Sequence, residues 1–342
     1  MSSSPLSLFP YNTFGLEQEA TELVVLQDRA QLDALRHWQG PQLVVGEGSN
    51  LLFTAPYAGR VLVNRLRGVT LSDDGDAWRI RAEAGENWHR LVCLTLERGM
   101  PGLENLALIP GTAGAAPIQN IGAYGVELAR FCESVESLDW RSGEIRHWSA
   151  TDCRFGYRDS AFKHEAQHHL ILSLTLRLPK DWQPVLGYGP LAELDAGASA
   201  VQIFEQVCAT RRAKLPDPAV LGNAGSFFKN PQVVPAQAEA LRLAWPDLPC
   251  YPAGEGAVKL AAGWLIDRAG LKGTCVGGAA VHRQQALVLV NQGGATAEDI
   301  VRLAALVRER VAQLFGVSLE PEVRMIGREG ETSLDEVLAC LN

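Results

Sequence analysis

Most of the usual short cuts to a function are missing from this 342-residue sequence. Its seven cysteines, at 93, 132, 153, 208, 250, 275 and 340, are scattered, and no C-x-x-C pair occurs. That pattern excludes a disulfide framework and a zinc ribbon. It reads instead as small buried hydrophobes in a reducing compartment. There is no basic excess: the formal net charge is -8. A general nucleic-acid footprint is thereby excluded, while a local phosphate pocket is not. No apolar run reaches bilayer length. The opening MSSSPLSLFPYNTFG has neither a charged n-region nor an apolar h-region, so the expectation is a soluble, cytoplasmic protein without membrane insertion. G-x-G-x-x-G, a Walker A loop and a G-x-S-x-G elbow are all absent, as are internal repeats and low-complexity tracts.

What is present is an ordinary globular composition, 47% apolar and 20% charged. At about 100–200 residues per domain, the length predicts two or three domains. TELVVL (21–26), VLVN (61–64), WRIRAEAG (78–85), SVESLDW (134–140), LILSLTLRL (170–178) and QALVLVN (285–291) read as strands. Helices are predicted over 28–38, 86–99, 201–215, 235–245, 259–270 and 296–316, several closed by glycine. A final strand, VSLEPEVRMIG (317–327), is broken by Pro321. The mixture lacks a regular βαβ period, so the fold class is α+β.

Several segments can carry chemistry. GEGSN (46–50) follows a strand, and its amides with Ser49 and Asn50 suit either a pyrophosphate or an ordinary turn. Residues 100–125 are rich in glycine and proline, and the 110–125 loop within them is apolar and nearly free of charge. An exposed loop would be more polar, and buried backbone needs hydrogen-bond partners, which a large cofactor supplies. RFGYRDS (154–160) offers Arg158 as an anion clamp or as part of a surface ion-pair patch. RRAKLPDP (211–218) presents Lys214, by itself a solvated helix end. EPEVR (320–324) puts Glu320 and Glu322 on one face if extended, and a glutamate there could hold or move a proton. His164, His168 and His169 in KHEAQHHL read as a polar loop and not as a metal site, and His282 as structural. GNAGSFFKNP (222–231) presents Ser226 among small residues with no histidine partner in obvious reach.

In chain order, YNTFG (11–15), VVGEGSNLLF (44–53), GLENLALIPGTAGAAPIQNIGAYG (102–125), CRFGYRDSAFKHE (153–165), GNAGSFFKNP, KLAAGWLID (259–267), GGAAVHRQQALVLVN (277–291) and LEPEVR (319–324) resemble the UDP-N-acetylenolpyruvoylglucosamine reductase (MurB) family. The resemblance runs from about residue 11 to about 331. LGYGPL (186–191) is similar to the tyrosine loop of the family's longer class. One departure is GTAGAAP, where some relatives carry hydroxyl or larger residues.

The resemblance implies a three-subdomain flavoprotein with an FAD-binding part of the vanillyl-alcohol-oxidase (PCMH) type and an α+β substrate domain. The implied divisions are 1–67, with a tail of about 325–342 packed on it, then 68–215 including the loop 179–199, then 216–324. It implies non-covalent FAD, held by Gly46, Gly48, Ser49, Asn50, Gly111, Gly114, Ala115, Gln119, Asn120, Gly122 and Tyr124. NADPH is the implied co-substrate, in a two-half reaction on an enolpyruvyl UDP-sugar. Ser226 is the implied proton donor, with Arg158 and Glu322 on the enolpyruvyl carboxylate. Tyr188, Lys214, Asn230, Lys272, Gln285 and Glu331 are the implied substrate contacts. No metal, nucleic acid or protein partner is implied, and the chain is expected to be monomeric. Two rivals are another flavin oxidase or dehydrogenase on the same fold, and a non-catalytic sugar-nucleotide sensor. The SFFKN, EPEV and FGYRDS segments weigh against the first, and the presence of Ser226, Arg158 and Glu322 weighs against the second.

Overall fold

The structure, a computed structural model, describes residues 6–36 and 38–341, the side chain of Glu255 excepted. The chain divides into two compact units, each discontinuous in sequence. One is built from Leu23–Glu47 and Arg60–Ala213. The other takes the chain up to Glu22, Gly48–Gly59, and everything from Lys214 onward.

The first unit is organised by a five-stranded antiparallel sheet, in the order Ile145–Ser149, Cys132–Asp139, His169–Pro179, Ala77–Glu83, Val69–Asp73. The predicted strand over 170–178 is its centre, but its side chains do not simply alternate. Glu136 pairs with Ser173 and Ser137 with Ile171, so Leu172 is an extra residue. A bulge of this kind turns the strand over. Beyond it Leu174, Leu176 and Leu178 enter one core, with Trp88, Leu91 and Leu106. Before it Leu170 and Leu172 enter another, with Leu26, Leu62 and Leu66. Beside this sheet, Gln42–Val45 runs parallel to the end of Tyr57–Asn64.

The bulge also places Glu136 in a charged network. Arg29 donates to both Glu136 oxygens, at 2.7 and 2.9 Å, and to Glu83 at 3.0 Å. Arg81 and Ser173 donate to Glu136 Oε2, each at 2.8 Å. Hydrogen bonding from Arg29 is the main reason that the Glu136 carboxyl is lowered to about 2.

Helix predictions hold where the apolar spacing is long. Trp88–Glu97 is capped by Asn87, whose side chain accepts from Arg90 N–H, and it buries Trp88, Leu91, Val92 and Thr95. Residues 28–38 are different. They form a 3₁₀ helix, Arg29–Leu35, capped by a box between Asp28 and Gln31. With only Leu32 and Leu35 buried, too little apolar surface is available to sustain α-helical turns. His37, within that predicted helix, lies outside the described residues.

In the second unit a four-stranded sheet runs Asn223–Ser226, Val288–Asn291, Ala279–Val281, Cys275–Val276. The helix Ala297–Phe315 starts at a capping box of Thr296 and Asp299 and stops at left-handed Gly316. It buries Ile300, Leu303, Ala304, Val307 and Val311 at helical spacing. The predicted helix over 259–270 shortens to Ala262–Arg268, because Val258–Leu260 is a strand paired with Gln232–Val233 and Cys250–Pro252. The strand predicted over 317–327 contracts to Arg324–Ile326, parallel to Leu51–Phe53. Pro321 has no N–H for a ladder. Only Cys132, Cys153 and Cys208 are buried, so the reading of cysteine as core filler fails for the other four. No helix among the described residues is long and apolar enough to cross a membrane.

The Arg29 network gives a pH prediction. The Glu136 carboxyl titrates lower in the folded chain than in the unfolded one. Its contribution is therefore complete above the ordinary carboxylate range and is lost as pH falls towards about 2. Arg29→Met should cost about 2 kcal/mol at neutral pH. It should also flatten the acid limb of a urea-unfolding series run from pH 7 to pH 3.

Candidate active site

In the unit containing Arg60–Ala213, the loop over 110–125 is held by groups the sequence reading did not single out. Glu47 gathers it: one oxygen accepts Gly111 N–H at 3.0 Å and the other accepts Asn87 Nδ2 at 2.7 Å. Trp88 N–H closes the circle on the Gly111 carbonyl at 3.0 Å. Ala113 N–H goes to the Glu86 carbonyl, Gly114 N–H to Ala84, and Ala115 N–H to Thr112. The amides of Gly111, Gly114 and Ala115 are thus engaged within the chain. The glycines serve close packing: a Cβ on Gly114 would lie 2.5 Å from that of Ala84, and one on Gly46 would lie 2.8 Å from Thr112 Oγ1. Ser49 and Gln119 are half-buried.

The second half of the loop is strained. Asn120, Tyr124 and Arg158 have φ of 43°, 48° and 55°, as do Leu108 and Arg154 at 55° and 43°. Each non-glycine residue in that region costs about 1–3 kcal/mol, and such residues gather at functional sites. The surroundings hold them there. Asn120 Nδ2 donates to Glu127 and to the Gly156 carbonyl, and its Oδ1 accepts Ala129 N–H. Asn105 Nδ2 donates to the Tyr124 and Val185 carbonyls. Arg158 Nη2 donates to the Gly122 carbonyl at 2.8 Å. Gly122 must be glycine for this, since its Cβ would lie 2.9 Å from Glu127 and 3.1 Å from Arg158 Nη1. Tyr188 packs its Cβ beside Gly125 and begins the short helix Gly189–Glu193. Asn120, Gly122, Tyr124 and Arg158 are therefore brought together.

Arg211 was passed over in favour of Lys214. Its Nε is buried and has no hydrogen-bond partner among the described residues. Burial lowers the guanidinium from the ordinary arginine value, and its charged and ionisable neighbours include Tyr124, Cys208 and Arg158. The signal was present in the helix Ala200–Lys214, whose buried positions include Ile203, Val207 and Cys208. Arg211 continues that stripe four residues after Val207, whereas Lys214 is exposed.

In the other unit, Ser226 ends a strand, paired with Val288 after a bulge in which Gly225 takes φ 73°. Gly225 N–H donates to Asn223 Oδ1 at 2.9 Å. Phe227 N–H donates to the Leu287 carbonyl, and the Phe227 carbonyl accepts Glu322 N–H, both at 2.7 Å. Lys229 N–H donates to the Glu320 carbonyl at 2.9 Å. Ser226 and Glu322 are thus on neighbouring stretches of backbone, with Phe227 and Phe228 fully buried. The same stretch holds part of the glycine turn: Asn50 Nδ2 donates to the Glu322 carbonyl at 3.2 Å, and Arg324 N–H to the Asn50 carbonyl at 3.1 Å.

Of the expected substrate contacts in this unit, Asn230 accepts Ala262 N–H at 2.9 Å, the first amide of the helix Ala262–Arg268. Lys272 pairs with Asp267 at 2.5 Å and Glu331 with Arg324 at 2.9 Å, both in exposed settings. Gln285 is half-buried beside Gly263, where a Cβ would lie 3.4 Å from its Oε1. His282 Nδ1 accepts Gln285 N–H at 3.1 Å.

Two family profiles match the chain: an FAD binding domain over residues 29–149 and the C-terminal domain of UDP-N-acetylenolpyruvoylglucosamine reductase over 217–326. The class follows: the protein is an FAD-dependent oxidoreductase with the expected α+β architecture. Arg211 Nε, buried and lacking a protein acceptor, fits a flavin carbonyl or phosphate oxygen.

The chain is 54% identical to UDP-N-acetylenolpyruvoylglucosamine reductase of Escherichia coli (strain K12) over 341 residues, covering 97% of this chain and 99% of that one. The Salmonella typhimurium reductase is 53% identical with the same coverage. The crystal structure of the Thermus caldophilus reductase superposes with a TM-score of 0.67 at 26% identity, over 94% of this chain and 98% of that one. The chain belongs to the UDP-N-acetylenolpyruvoylglucosamine reductase family.

Gly48 offers a structural test. A Cβ there would lie 1.9 Å from the Tyr11 carbonyl oxygen, and φ is 70°. Gly48→Ala should lower stability by about 3 kcal/mol or more, read as a shift of the urea midpoint.

Proposed function

We propose that this chain reduces UDP-N-acetylglucosamine enolpyruvate to UDP-N-acetylmuramate with NADPH by way of FAD, a step in peptidoglycan precursor synthesis and so in cell shape and division. The observation that carries the reading is the end-to-end match with the E. coli reductase, which spans the FAD-binding part and the C-terminal domain alike. We take the chain to be a cytoplasmic monomer of three subdomains, 1–67 with the tail from about 325, 68–215, and 216–324. We assign it no nucleic-acid or protein partner.

FAD, held non-covalently when bound, would supply the hydride chemistry between NADPH and C3 of the enolpyruvyl group. Gly46, Gly48, Ser49 and Asn50, with Gly111, Gly114, Ala115, Gln119, Asn120, Gly122 and Tyr124, form its binding segments, and Arg211 adds a donor. Arg158 and Glu322 polarise the enolpyruvyl carboxylate and stabilise the enol, where charge grows as C3 is reduced. A fixed donor at such a place is worth about 10²–10³ in rate.

Ser226 gives its proton to C2. A serine hydroxyl is a poor acid towards water, but C2 at that stage is far more basic, so the transfer requires position and dryness. Buried Phe227 and Phe228 fix the backbone on which Ser226 sits. Tyr188, Lys214, Asn230, Lys272, Gln285 and Glu331 bind the rest of the sugar nucleotide. Asn230 contributes its Nδ2, since its Oδ1 is committed to Ala262. Lys272 exchanges its pairing with Asp267 on binding.

Stopped-flow absorbance of the flavin separates the two halves. Ser226→Ala should leave flavin reduction by NADPH within a few-fold of the parent and slow reoxidation by the enolpyruvyl substrate by ~10²–10⁴. A variant that loses the first half and keeps the second would refute the assigned role. Arg211→Met should purify with its fold intact by circular dichroism but hold FAD ~10-fold or more weakly, measured by fluorescence on FAD release.

A further inference from the structure

The histidines at 168 and 169, which the sequence presents as a polar loop, meet a carboxylate in the folded sheet. Asp139 ends the strand Cys132–Asp139 and pairs directly with His169 at the start of His169–Pro179. Directly opposed residues share a face of the sheet. Trp140 N–H donates to the His168 carbonyl at 3.3 Å and fixes the neighbouring residue. One ligand atom from each of Asp139, His168 and His169 lies within 4.8 Å of the other two, and all three residues are half-buried.

We propose that Asp139, His168 and His169 form a binding site for a divalent cation of the zinc class, a property separate from the reductase chemistry.

Three details carry the inference. Asp139 is already divided between two tasks: its Oδ1 accepts Arg141 N–H at 2.8 Å and Ser142 N–H at 3.3 Å, and its Oδ2 faces His168. The separation of His168 Nε2 from Asp139 Oδ2 is 3.4 Å. Two ligands at about 2.0–2.1 Å in a tetrahedral shell stand roughly 3.3–3.4 Å apart, so a cation enters between them with little movement. The third detail is the support behind His169. Its Nδ1 lies 2.9 Å from Ser137 Oγ, which also accepts Trp148 Nε1–H at 2.8 Å. A hydroxyl oxygen has two lone pairs. In the tautomer protonated on Nδ1, His169 donates to Ser137 Oγ and presents the Nε2 lone pair to an ion. This is the outer-shell hydrogen bond that metal-bound histidines ordinarily make.

Three protein ligands leave one position for water or an exogenous ligand. Arg146, stacked 3.7 Å over Trp148, is a like charge felt by His169 and opposes binding. The ligands belong to the facing ends of two neighbouring strands, so an ion there ties those ends together.

The test is calorimetric titration of Zn²⁺ into the oxidised, FAD-loaded enzyme carrying Cys275→Ser and Cys340→Ser, which removes the two exposed thiols. Cys93 and Cys250 are half-buried, and burial raises both thiols, which disfavours the metal-binding thiolate. The parent should bind one equivalent. His168→Gln should weaken binding tenfold or more, and Ser137→Ala by about 10–100-fold through loss of the outer-shell bond. Zn²⁺ should raise the melting temperature of the parent and leave that of His168→Gln unmoved. His168 is only half-buried, so this variant is informative even if substitutions at His169 impair folding. No binding by the parent, or equal binding by His168→Gln, overturns the proposal.

Discussion

A single carboxylate sets the shape of the glycine-rich half of this molecule. Glu47 accepts from the Gly111 amide with one oxygen and from the Asn87 side chain with the other. Asn87 in turn caps the helix Trp88–Glu97. One side chain thereby joins a strand-ending turn, a long loop and a helix start, three segments with little regular hydrogen bonding of their own. Backbone this rich in glycine is costly to order. Fixing it at one hub lets the remaining amides close on Ala84, Glu86 and Thr112 in a defined arrangement.

The strained residues depend on that frame. Asn120, Tyr124 and Arg158 are left-handed without being glycine, and each is kept so by bonds to side chains and carbonyls around it. The strain is local, and the packed sheet behind it sustains it. In the other unit the corresponding device is a carbonyl. Phe227 O accepts from Glu322, so the stretch carrying Ser226 cannot move without moving the EPEVR segment. Two residues nearly a hundred positions apart are held in register by backbone.

Much of this was legible in the chain. The strands over 78–85, 134–140 and 170–178 and the helix over 296–316 follow from apolar period, and Gly316 ends its helix as expected. The family itself was legible in motifs spread from YNTFG to LEPEVR. What escaped has physical causes. The bulge at Leu172 reverses which face each leucine occupies, and no period in LILSLTLRL announces it. Glu47 lies between two glycines whose amides suit a phosphate, and nothing in GEGSN marks it as a hub. Arg211 was signalled by its place on the buried stripe of its helix, but an arginine is expected at the surface. The engagement of Asn230 with Ala262 joins segments that only the tertiary fold brings together.

The parallel pairing of Leu51–Phe53 with Arg324–Ile326 has a consequence for how the molecule is made. The bonds beside it, from Asn50 to Glu322 and from Thr54 to Ile326, each span 272 residues. Chain closure over such a distance comes late, because its entropy is lost before the contacts reward it. The Arg60–Ala213 portion emerges from the ribosome with most of its sheet partners already synthesised. Leu51–Phe53, made earlier, waits until Arg324–Ile326 has been synthesised for its neighbour. Until then its row of backbone groups is an open edge, and Arg324–Ile326 acts as the clasp that protects it from pairing with another molecule.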